Sequence, residues 1–312
     1  MPIINAEITG LVETPPINID FSEGSIVVLN ACLALIMFGV ALDIKLDHFR
    51  QLRHDRKALF TGLFSQYLLL PIITVILIYI IQPPKDTALG MILVASCPGG
   101  NASNFFSMLS RGNLALSVTL SAFTSVFCFL LTPLSFFFWA SLVPSLLVRV
   151  QSMDISFLEL LGNMILILLI PLVAGMTFSH YLPKATAAIS RWIRYLSMLI
   201  LIGFIVGGLL RNIDVFTNHI LSVFWIVLIH NGLGLVCAYW LSAKLGNTEA
   251  VNRSVAIETG IQNAGLGLIL IFTFFEGNGP MALVAAWWGI WHLISGFTFA
   301  LIMRRRPLSQ AT

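Results

Sequence analysis

Glu258 stands inside an apolar run, NRSVAIETGIQNAGLGLILIFTFF, with Thr259, Gly260, Ile261, Gln262 and Asn263 directly after it. A carboxylate at membrane depth costs about 3 kcal/mol on insertion scales, so it is kept with a counter-ion, a proton or a bound cation. The plainer alternative is a protonated acid hydrogen-bonded between helices. A second apolar run, TALGMILVASCPGGNASNFFSMLS, is interrupted by Pro98, Gly99 and Gly100 and then by Asn101, Ser103 and Asn104. Proline removes a backbone donor and glycine loosens a helix, so the spacing predicts an unwound stretch in mid-run. Further oxygen-bearing side chains at comparable depth are Gln66, Ser117 and Ser121, the last two sharing one helix face. Taken singly, each serine reads more readily as a packing or back-bonding residue; only the set carries the argument. One carboxylate among hydroxyls, amide oxygens and unwound carbonyls suits a hard cation such as Na+, and half-helix amino ends suit an anion.

Other polar residues are less telling. His230, Asn231 and His292 can line a cavity or simply bond a neighbouring carbonyl. Cys32, Cys97, Cys128 and Cys237 all fall in apolar runs without metal-ligand spacing, and no disulfide framework is expected. No nucleophile has a plausible base and no nucleotide loop is present, so an enzyme is not expected, nor a cofactor beyond a bound Na+, nor a nucleic-acid partner.

The elements that must position these residues follow from composition. Of 312 residues, 58% are hydrophobic and only 10% charged, with a mean hydropathy of +0.93. That leaves too little polar surface to cover a water-soluble globule. Apolar runs long enough to cross a bilayer as helices are predicted at 25–43, 58–82, 87–110, 114–138, 158–178, 195–210, 220–243, 251–276 and 281–303. Assigning the loops alternately to two sides leaves only Lys85, Arg149 and Arg211 of the seventeen basic residues on one of them. Cytoplasmic loops are the ones enriched in Lys and Arg, so the amino terminus is expected outside and the carboxyl terminus in the cytoplasm. Residues 1–24, acidic and without Lys or Arg, read as an extracytoplasmic tail, and 307–312 as a cytoplasmic one.

A single transporter domain is thus expected over 25–306. The connection 139–157 divides it into four spans (25–138) and five (158–303), and reads equally as a short amphipathic helix or a linker. If the first half is the five-span unit lacking its first helix, corresponding spans run oppositely, an inverted repeat. The two interrupted runs are then equivalent fourth elements, expected to cross antiparallel near the midplane.

At SCPGGNASNFFSMLSRGNLALSVTLSAFTSVFCFLLTP and ETGIQNAGLGLIL the chain resembles the bile acid/sodium symporter family, with similarity from LALIMFGVALDIKLDHF to GIWHLISG. The resemblance implies an all-α polytopic membrane protein with a panel and a core domain, the core holding the two crossed helices. It implies one sodium site at Ser103, Asn104, Ser117, Ser121 and Glu258. A second would use Gln66, Gln262, the Glu258 carboxylate and the main-chain carbonyls of Thr259 and Ile261. The anionic substrate is implied near Asn101, Asn263 and His292, between the domains. Three departures stand out. Bacterial relatives usually have ten spans, many have threonine at Ser121, and a bile-acid-binding bacterial relative has asparagine at Leu293. The leading expectation is a plasma-membrane sodium symporter of organic anions. A proton-coupled or efflux carrier, and a membrane sensor that binds without transporting, are the competing ones.

Overall fold

A computed structural model describes residues 23–42, 44, 55–100, 102–153, 156–211 and 213–307. The amino-terminal tail, much of the basic loop with Lys45, Arg50 and Arg53, Asn101 and the last five residues lie outside the described part. Helix is the regular structure of the described residues, and short turns and one isolated β-bridge join the helices. In chain order the helices are α1 (Glu23–Leu42), α2 (Arg56–Ile81), α3 (Lys85–Ser96), α4 (Ala102–Leu109), α5 (Leu114–Val126), α6 (Cys128–Ser141) and α7 (Pro144–Ser152). They continue as α8 (Phe157–Tyr181), α9 (Pro183–Arg211), α10 (Ile213–Lys244), α11 (Glu249–Gly260), α12 (Ala264–Phe274) and α13 (Gly279–Arg305).

Each of the nine apolar runs is helical, but not all as single rods. Among the described residues, α2, α8, the Val223–Lys244 part of α10 and α13 are each long and apolar enough to cross a membrane. The run 114–138, read as one span, is instead two helices bent by 79° at Phe127, and counting that pair brings the total to five. The connection 139–157 contains a nine-residue helix, α7, opened by Pro144 at its first position, where a missing N–H costs nothing.

The helices pack in two groups. α1, α8 and α9 lie against one another, and Gly175 of α8 is so close to α1 that a Cβ there would stand 2.7 Å from Ala41 Cβ. The other group has α10 and α13 at its centre, with α11, α12, α3 and α4 around them and α2 and α5 outside. Both α2 and α8 contain a π-helical turn, Ser65–Leu69 and Ile165–Leu169, each just before a proline, Pro71 or Pro171. Proline has no N–H for the carbonyl four residues back, so the ladder widens and Leu70 N donates to Ser65 O instead. In α2 that widened turn carries Ser65 and Gln66, both buried.

Candidate functional site

The two interrupted runs stop at the same place. α3 ends at Ser96, where Cys97 turns extended (φ −72°, ψ 157°), and α11 ends at Gly260 before Ile261 (φ −102°, ψ 86°). Between the half-helices the two chains pair antiparallel at Gly99 and Gln262. Gly100 N donates to Ile261 O at 2.7 Å and Asn263 N donates to Pro98 O at 2.9 Å. The pairing takes up backbone groups that each break would otherwise leave unbonded in an apolar interior. It also demands glycine. A Cβ on Gly99 would lie 2.6 Å from Glu258 Oε2, and one on Gly100 would lie 3.0 Å from Gln262 O.

Glu258, 0% exposed, projects from α11 into a ring of hydroxyls. Ser103 Oγ of α4 donates to Glu258 Oε1 at 2.5 Å, Ser117 Oγ of α5 donates to the same oxygen, and Ser121 Oγ lies 3.0 Å from Oε2. Ser117 Oγ is also 3.0 Å from Asn104 Oδ1, and Ser103 and Ser121 are 3.1 Å apart. Each hydroxyl has one proton, so this cluster holds more acceptor sites than protons to fill them. No cationic side chain bonds the carboxylate among the described residues. Four oxygen-bearing groups from α4 and α5 thus gather around one carboxylate of α11, a donor set suited to a hard cation.

A second polar group lies beside it. Gln66 Nε2 donates to Cys97 O at 3.3 Å, and Gln262 Nε2 donates to Thr259 O at 2.8 Å. The Oε1 atoms of both glutamines are fully buried without a hydrogen-bond partner. The Thr259 and Ile261 carbonyls already accept one bond each, and each keeps a second lone pair. The bonds that Glu258 accepts come from the serine cluster, not from this group.

Asn263 is half-buried and caps α12, its Oδ1 accepting from Leu266 N at 3.0 Å. His292 lies on the face of α13 that carries Gly289 and Gly296. A Cβ on those glycines would meet Ala264 Cβ at 3.4 Å and Ile261 Cδ1 at 2.7 Å, so the histidine faces the crossing. Its Nδ1 is buried without a partner. Asn101 lies outside the described residues.

Two side chains matter more here than their sequence signal suggested. Asn231, buried in α10, donates from Nδ2 to Gly260 O at 2.7 Å and so holds the carbonyl that α11 leaves free at the break. Its neighbour His230 is 2.7 Å through Nε2 from Thr74 Oγ1, which itself donates to Leu70 O at 2.8 Å. A polar pair deep in an apolar helix was visible, but not its target across the fold. Arg253, near the start of the predicted run 251–276, is fully buried in the first turns of α11.

At the opposite end of the crossing, Asp86 in the first turn of α3 accepts from Arg149 Nε at 2.7 Å, Arg149 Nη2 at 2.9 Å and Asn278 Nδ2 at 2.9 Å. Burial pushes the Asp86 carboxyl up, but the bonds from Arg149 and Asn278 outweigh it and hold the group below its ordinary value. This pairing accounts for one of the three basic residues on the poorly charged side.

Comparison with known proteins gives the chain a family. The profile of the Sodium Bile acid symporter family matches residues 30–219, more than half of the chain. The chain belongs to that family. A probable sodium/metabolite cotransporter, chloroplastic BASS1 of Arabidopsis thaliana, is 31% identical over 281 residues, 89% of this chain and 67% of its own length. An uncharacterized sodium-dependent transporter of Bacillus subtilis, YocS, is 29% identical over 269 residues, 86% of this chain and 80% of the relative. A probable chloroplastic sodium/metabolite cotransporter of rice, BASS2, is 26% identical over 283 residues, 88% and 64% of the two chains. Membership of this sodium symporter family, with several long apolar helices, makes the chain a multi-pass membrane protein of the sodium-dependent transporter class.

Proposed function

We propose that the protein is a sodium-coupled symporter of organic anions that works by alternating access. The observation that carries this reading is Glu258, a fully buried carboxylate held by three hydroxyls and, among the described residues, no cationic side chain, at the crossing of two broken helices. Relatives named as sodium-dependent or sodium/metabolite transporters support the same coupling ion. One Na+ binds among Ser103, Asn104, Ser117, Ser121 and Glu258. A second binds at Gln66, Gln262, the Thr259 and Ile261 carbonyls and the far side of the Glu258 carboxylate.

The crossing suits both charges. α3 and α11 bring carbonyl ends to it, the negative ends of their dipoles, and α4 and α12 bring N–H ends. Sodium at the carbonyl ends neutralises Glu258 and tightens the pairing of Gly99 with Gln262. The N–H ends, with Asn101, Asn263 and His292, then receive the anion in the cleft between a panel of α1, α8 and α9 and a core of the remaining long helices. Nine spans would put the two termini on opposite sides, and the basic loops favour the carboxyl terminus in the cytoplasm and the amino terminus outside. The substrate class is organic anions: bile acids, steroid conjugates or small carboxylates.

Proteoliposomes made with the purified chain and offered bile acids, steroid sulfates and small hydroxy-acids should accumulate at least one of them under an inward sodium gradient. A proton gradient of equal size should not replace it. Glu258→Ala should fold and insert but accumulate nothing. Full sodium-driven uptake by that variant sinks the scheme, and uptake driven by protons alone identifies a proton-coupled carrier instead.

A further inference from the structure

The start of α11 and the end of α4 are joined by a network that the ion-binding scheme does not use. Arg253, 0% exposed, donates through Nε to Glu249 Oε1 at 2.9 Å and through Nη1 to Ser110 O at 2.8 Å. Its Nη2 donates to Arg306 O at 3.1 Å and Pro307 O at 3.4 Å, just past the end of α13. One guanidinium thus ties the start of α11, the turn that leaves α4 and the end of the last helix. The turn is held twice more. Ser254 Oγ donates to Asn113 O at 3.0 Å, and Asn113 N donates to Ala250 O at 2.9 Å. Gly112 fits under this contact only because it lacks a side chain, since a Cβ would stand 2.7 Å from Ser254 Oγ.

The spacing gives the network its consequence. Asn113 is the amino cap of α5, accepting from Leu116 N, and Ser117 follows it by four residues. Glu258 follows Ser254 by the same four on α11. The Ser254–Asn113 bond and the Glu258–Ser117 bond are therefore successive rungs between two helices, about one turn or 6 Å apart. A slip of one residue between α5 and α11 would move Ser117 about 1.5 Å along the axis and rotate it about 100° away. Both serines would leave the carboxylate.

We infer that Arg253, Ser254 and Gly112 are positioning residues for the Glu258 ion site: the docked turn 110–113 sets the register that brings the Ser117 and Ser121 hydroxyls to the carboxylate. The inference rests on the sodium reading of Glu258. Nothing in the network touches the ion itself, so its loss acts through geometry and lowers sodium affinity rather than removing a ligand.

Melting temperatures of the purified full chain, titrated with sodium chloride against potassium chloride at constant ionic strength, test this without knowledge of the anion. The wild type should be stabilised by sodium and not by potassium, and Glu258→Gln should lose that response. Ser254→Ala should raise the half-effective sodium concentration about fivefold, the scale of one lost buried hydrogen bond. Ser254→Thr, which keeps the hydroxyl, should stay within about twofold. Arg253→Lys and Gly112→Ala should move it at least as far as Ser254→Ala where they fold. A merely structural role would lower the melting temperature in potassium and leave the half-effective concentration alone, which would overturn the inference while leaving the sodium site standing. A wild type indifferent to sodium, or a Glu258→Gln variant that still responds, would overturn both.

Discussion

The two helix breaks meet at one β-bridge, yet they are made differently. The first is written in its own residues. Pro98 cannot donate, and Gly99 and Gly100 accept a path so close to Glu258 and Gln262 that no side chain fits. The second has no proline and only Gly260. Here the helix stops because other groups take over its bonds: Asn231 from α10 holds Gly260 O, Gln262 turns back onto Thr259 O, Asn263 caps the helix that resumes, and Gly100 N claims Ile261 O. One break is local and the other is borrowed from the fold. The borrowed one also carries Glu258, so the acid sits on the helix whose end depends most on its neighbours.

That contrast can be broken experimentally at either break. The largest effect is expected from Gly99→Ala, because the new methyl would stand 2.6 Å from Glu258 Oε2 and the backbone bridge leaves it nowhere to go. Overpacking of about 3 kcal/mol would raise the half-effective sodium concentration about 100-fold, read by the sodium-dependent melting shift. A value unchanged from wild type would show that the first break is not rigid.

Next comes Asn231→Leu. It leaves Gly260 O buried without its donor, a loss of about 1–3 kcal/mol. Sodium affinity should fall about tenfold, while the melting temperature in potassium also drops. If α11 kept its end without Asn231, the affinity would hold and the second break would have to be local after all.

Gly260→Ala should be milder although its Cβ would come 2.5 Å from Leu235 Cδ2 and 2.6 Å from its Cγ, because the clash is with an apolar side chain outside the ion site, which can change rotamer as a whole. About threefold weaker sodium binding is expected, restored by the double variant Gly260→Ala/Leu235→Ala. Failure of that rescue would place the clash in the backbone.

The smallest effect concerns the clamp at the other end of α3. The Asp86 carboxyl is lowered from 3.8 in the folded chain, so its pairing stabilises the fold above that value and the stabilisation is lost as pH falls through the still lower folded value. The pair is partly exposed, its side chains 33% and 22% accessible, so screening keeps the contribution below about 1 kcal/mol. Arg149→Ala should lower the melting temperature by a few degrees near neutral pH and by less below pH 3. An equal loss at both pH values would mean that Arg149 acts by packing alone.

Much of the fold was legible because membrane burial imposes a simple rule: long apolar runs become helices, since every backbone polar group must be bonded within its own segment. Cys97-Pro98-Gly99-Gly100 marked the first break through local backbone chemistry, and Glu258 stood out through its cost in an apolar run. The bend at Phe127 left no comparable mark, because a continuous apolar sequence suits a straight helix and a bent one equally. The burial of Arg253 left no mark either. Its charge is met by Glu249 one turn away and by the Ser110, Arg306 and Pro307 carbonyls, from segments far apart in the chain.

The sequence by itself determined the helical, membrane-embedded class, the place of the first break and the side chains able to surround a cation, because each depends on composition or on neighbours a few residues away. Only the tertiary structure decided that Gly99 meets Gln262, that Asn231 ends α11, and that Ser103, Ser117 and Ser121 converge on one carboxylate. Those pairings join residues more than a hundred positions apart in most cases, and no local pattern encodes which distant hydroxyl will complete a buried acid. The register between α5 and α11 completes it, and that register is a property of the packed helices.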